Sequence, residues 1–88
     1  MTADEEIARG REAASLINNA IYQESFILLK AQMMKAFQDT RYDQSEERDE
    51  IWREMKVLGA VERQIKAVMQ TGKFAEKSIV NNVDNHNG

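Results

Sequence analysis

Tyr22, Phe26, Leu29, Met33 and Ala36 recur at intervals of four, three, four and three residues. That is the spacing of a helix that pairs along a seam. Ile27, Leu28, Met34 and Phe37 flank the seam and widen it, so a helix over about residues 20–39 needs at least two neighbours. A second stripe holds Ile51, Met55, Leu58, Ile65 and Met69, with Trp52, Val61 and Val68 beside it. It predicts a helix over about 45–71, roughly 40 Å long. A narrower stripe of Ile7, Ala14 and Ile17, with Gly10 among them, predicts a short helix over about 3–17.

Polar punctuation fits these limits. Thr2 with Glu5 forms a capping box, and Asp4 to Glu6 place negative charge at the positive end of the first helix dipole. Asn18 and Asn19 suit a stop, because asparagine tolerates the left-handed conformation of a helix cap. Asp43 with Glu46 offers a second box, and Ser45 is a competing N-cap. Gly72 reads as the residue just past the end of the last helix, with Lys73 near its final carbonyls. Gly59, mid-helix, costs about 1 kcal/mol relative to alanine. Either the close approach of another backbone or chance accounts for it. The predicted fold is all-α: an antiparallel helical hairpin (about 20–39 and 45–71), antiparallel because its loop is short, with the short helix at about 3–17. Phe26, Leu29, Met33, Leu58 and Ile65 are its expected core. Residues 1–80 form one helical domain, and "NNVDNHNG" (81–88), polar and without a stripe, is expected to be disordered.

Length limits how far this fold can stabilise itself. Eighty-eight residues give a thin core. No cysteine is present to form a disulfide, and the single histidine, His86, lies in the polar tail. Self-association is the remaining route to burial, and the methionines at helical spacing are expected as core filler. The acidic start, "MTADEEIARG", is unlike a secretory signal. The longest apolar run, Phe26 to Leu29, is far short of a membrane span. The expected location is the cytoplasm.

The net charge is −3 but unevenly spread: residues 1–55 hold 7 basic and 12 acidic side chains, residues 56–88 hold 5 and 3. Arg63, Lys66, Lys73 and Lys77 form a basic set able to touch phosphates, without the clustered aromatics of a base-stacking surface. Glu47, Glu50 and Glu54 share one face with Arg48 and Arg53 nearby, which reads as a solvated, salt-bridged surface. "QTGK" at 70–73 ends a helix rather than opening a phosphate loop, since the upstream glycine and strand are missing. No catalytic, cofactor-binding or metal-binding residue is expected. Ile27, Leu28 and Met34, outside the seam and close together, are the expected contact with another copy or a partner.

"GREAASLINNAIYQESFILLKAQMMKAF", an acidic turn and "RDEIWREMKVLGAVERQIKAVMQTGKFAEK" together resemble a family of short helical proteins encoded by tailed phages and prophages. The resemblance rests on the "GR-x-A-x-x-L-x-N" opening at Gly10–Asn18, on Trp52 early in the last helix, and on the closing Thr71-Gly72-Lys73, over about residues 9–77. It implies a virion-assembly or packaging accessory protein, in the bacterial host's cytoplasm or on the virion; that the chain is a homo-oligomer is the separate expectation from its thin core. It carries over no site residue. Two alternatives stand beside it: a small terminase-like or regulatory subunit contacting nucleic acid, and an inhibitor of a host enzyme.

Overall fold

The computed structural model describes residues 1–82 in full and the backbone of the last helix as far as Asn87. The fold is all-α, and the described residues form three helices: α1 (Ala3–Ile17), α2 (Ala20–Asp39) and α3 (Ser45–Asn87). Contacts group them into two compact units. One holds residues 1–18 and 64–88, the other 19–63. α3 contributes to both.

The starts of α1 and α2 follow from side-chain caps. The Thr2 hydroxyl accepts from the Glu5 N–H at 3.2 Å and donates to the Glu5 carboxylate at 3.2 Å, the reciprocal pairing expected of "TADE". The two asparagines divide the work between helices. Asn18 ends α1 in a right-handed conformation, and the Asn19 side chain accepts from the Tyr22 N–H at 3.0 Å to start α2. The left-handed cap expected here is therefore not used: no described residue has positive φ. α3 begins at Ser45, so Ser45 is its first helical residue and not its cap. Gln44 precedes it, its side-chain oxygen accepting from the Arg41 N–H at 2.8 Å.

The largest departure from expectation lies in α3. It does not stop at Thr71 but runs 43 residues from Ser45, with Gly72 in its interior. The reason is in the unit formed by α1 and the C-terminal part of α3. There Gly10, Ala13, Gly72 and Ala75 are buried, and they are the only buried positions among the described residues. A Cβ added to Gly10 would stand 2.7 Å from the Gly72 Cα and 3.3 Å from the Met69 carbonyl oxygen. Gly72 thus admits a crossing backbone instead of ending a helix. Ile7, Ala14, Ile65, Val68 and Met69 surround the crossing, half-buried, and Arg11 pairs with Glu76 at 3.2 Å beside it. The expected disorder of 81–88 is not seen at Asn81 and Asn82, which are helical and exposed. The remainder of that segment lies outside the residues described in full.

The second unit is the expected antiparallel hairpin. Lys30 reaches Glu62 at 2.8 Å, and Arg48 reaches Thr40 at 3.0 Å, which fixes the register of α2 against the start of α3. Tyr22, Phe26, Met33 and Phe37 on α2 and Ile51, Met55 and Leu58 on α3 are half-buried. One expectation for the core is corrected: Leu29 is 40% exposed. Ile65 is half-buried like Phe26, Met33 and Leu58, but within the first unit. Two helices alone cannot surround a side chain, so no residue of the hairpin is fully buried.

Candidate functional site

The hairpin leaves apolar side chains open on both flanks. Ile27 and Met34, seven residues apart, share a row on α2, and Lys30 between them marks that flank by its bond to Glu62. Leu28 stands about a third of a turn away, in a row with Ile21. The three residues expected at one edge are therefore on two. All are open, at 69% for Ile27, 57% for Leu28 and 44% for Met34. On α3 the flank of Ile27 and Met34 continues with Trp52, whose ring lies 3.9 Å below the Lys56 ammonium.

The opposite flank holds a groove of about 480 Å³. Its floor is Met33, Val57, Leu58 and Val61, and Glu50, Arg53 and Glu54 line its rim. Met33, Val57, Leu58 and Val61 can take apolar groups, and the charged side chains stand beside them. Val57 and Val61 are 63% and 45% exposed although they sit on a concave surface. Sequence reading passed over these two, listing Val61 only as a neighbour of the stripe. Their spacing of four, two turns along from Glu50 and Glu54, is the signal that would have marked them.

The basic set is only partly brought together. Arg63 belongs to the hairpin unit, its guanidinium close to Gly59. Lys66, Lys73 and Lys77 belong to the other unit, exposed along one face of α3, and none has an ion-pair partner among the described residues. Phe74 beside Lys73 is 74% exposed. The acidic row has a role the pattern did not foretell for its neighbour. Arg48, expected to pair with the glutamates, instead donates to the Thr40 hydroxyl at 3.0 Å and to the Arg41 carbonyl at 2.8 Å, closing the α2–α3 loop.

Among the described residues no group of three or more His, Asp or Glu side chains is placed to hold a metal ion, and no buried side-chain polar atom lacks a partner. No described helix is long and apolar enough to cross a membrane. Comparison with protein-family models, with curated proteins and with solved structures finds no match.

Proposed function

We propose that this chain is a non-enzymatic helical assembly protein of a phage or prophage, one that associates with itself and binds a virion-assembly or packaging partner. One observation carries the self-association: among the described residues nothing larger than alanine is buried, while Ile21, Ile27, Leu28, Val57 and Val61 are each at least 45% exposed. A hydrophobic side chain stabilises a fold by about 1.5–3 kcal/mol only when it leaves water, and these have not. Surfaces of this kind mark interfaces. The groove suits the same use, since it sets the apolar Met33, Val57, Leu58 and Val61 beside the charged Glu50, Arg53 and Glu54, the mix of a protein contact. The viral context and its partner come from the resemblance of residues 9–77. Light scattering at micromolar concentration, with capture assays against purified head and packaging proteins, tests the reading. A defined oligomer that retains one such protein is expected. A strict monomer that retains none overturns it.

A second reading has its own observation in Lys66, Lys73 and Lys77, on one face without an ion-pair partner among the described residues, with Phe74 open beside them. Cations with an adjacent aromatic suit a single-stranded or duplex phosphate backbone. Gel retardation at ~50 mM salt that disappears in the Lys66→Ala, Lys73→Ala, Lys77→Ala triple variant is the expected result. Unretarded nucleic acid at that salt rejects this reading.

A further inference from the structure

We propose that a second copy of this chain covers the groove face of the hairpin unit, so that two hairpins form an all-antiparallel four-helix bundle about a two-fold axis parallel to the helices. This deepens the self-association reading and rests on it. The groove floor and the ridge that would fill it belong to the same face. Its floor is Met33, Val57, Leu58 and Val61. Leu29, one turn before Met33, and Leu28, at the outer edge, remain open. A patch carrying both ridge and groove can pack on itself, which is what a two-fold interface demands.

The register supplies the second argument. Lys30 lies opposite Glu62 and Thr40 opposite Arg48, so within about one turn Leu28 stands at the height of Val61, and Lys35 at that of Glu54. A two-fold axis along the hairpin preserves height. It brings α2 of one copy antiparallel over α3 of the other, placing Leu28 on Val61 and Lys35 by Glu54. Lys35, Glu50 and Glu54 are exposed and have no ion-pair partner within the described residues. The match is therefore apolar on apolar and cation on a rim that holds two glutamates and Arg53. Every neighbouring helix pair in this bundle is antiparallel, the arrangement of up-and-down four-helix bundles. With α2 and α3 both covered, the half-buried seam gains the second neighbour that the breadth of the α2 stripe requires.

Sedimentation equilibrium on the full chain, at ~50 mM salt where exposed charges are weakly screened, tests the face. Val61→Glu should weaken the dimer at least ~100-fold, because a carboxylate would be desolvated without a partner. Met34→Glu, on the other flank, should leave it within about twofold, since that flank stays in water. Lys35→Glu and Glu54→Lys should each weaken it roughly two- to fivefold, and the double variant should recover, as expected of a rim ion pair. If Val61→Glu also loses helix content, the charge pair decides the matter, because both side chains lie at the surface. A wild-type oligomer untouched by the groove and charge variants, or one broken by Met34→Glu instead, overturns this face while leaving self-association standing. A wild type monomeric at every concentration overturns both, and if Val61→Glu then loses capture of a purified assembly protein, the groove belongs to that partner.

Discussion

Gly72 meets Gly10 backbone to backbone. A Cβ added to Gly72 would lie 2.7 Å from the Gly10 Cα and 2.8 Å from the Glu6 carbonyl oxygen. Neither neighbour is a flexible side chain that could give way. Alanine at either site improves helix propensity by about 1 kcal/mol, but overpacking costs typically 1–3 kcal/mol and more when backbone must move. Gly10→Ala and Gly72→Ala should each lower stability by a net of about 1–2 kcal/mol. Chemical denaturation followed by circular dichroism measures this. An unchanged midpoint would mean that α1 does not cross α3 at these residues.

Gly59 should respond in the opposite sense. Its added Cβ would meet only the tip of the Arg63 guanidinium, at 3.3 Å. That flexible end can swing aside, and no backbone approaches. Gly59→Ala should therefore stabilise the hairpin by about 0.5–1 kcal/mol, through helix propensity and a less flexible unfolded chain. Thermal melting would register a rise of a few degrees. A fall would place another group against this position.

Arg48 ties the loop between α2 and α3. Its guanidinium donates to the Thr40 hydroxyl and the Arg41 carbonyl, and Thr40 itself donates to the Phe37 carbonyl at 2.6 Å. Lysine keeps the charge but lacks the planar fork. Arg48→Lys is expected to cost about 1 kcal/mol, and Arg48→Ala about 1–2 kcal/mol. Equal stability of all three forms in urea titration would show that the loop holds without this fork.

The Asn19 side chain caps the start of α2. Asn19→Ala removes the acceptor of the Tyr22 N–H and should cost about 1 kcal/mol. Asn19→Ser retains a short oxygen acceptor and should recover most of it. Amide hydrogen exchange at Tyr22 gives a local readout: protection should fall in the alanine variant and return in the serine variant.

The sequence by itself determined the helices and their starts, because those depend on near neighbours. Stripes repeating every three or four residues placed α1 and α2 at their observed limits. Thr2 capped α1 as its spacing to Glu5 foretold. The short loop made the hairpin antiparallel for the same local reason. Only the tertiary structure decided what Gly72 does. A glycine before a lysine near the end of a stripe has the local signature of a helix stop, and it becomes a helical interior residue because α1, more than fifty residues away in the chain, passes over it. Two matching runs, Gly10-Arg-Glu-Ala13 and Gly72-Lys-Phe-Ala75, carried that information, but only in combination, and periodicity read along one helix does not compare it with another. The same limit applied to the α2 faces. Apolar width announced a second neighbour, yet which of Ile27, Leu28 and Met34 shares a flank with Val61 depends on the rotation of α2 against α3. That rotation belongs to the folded pair and shows in contacts such as Lys30 with Glu62, which exist only once the chain has folded back on itself.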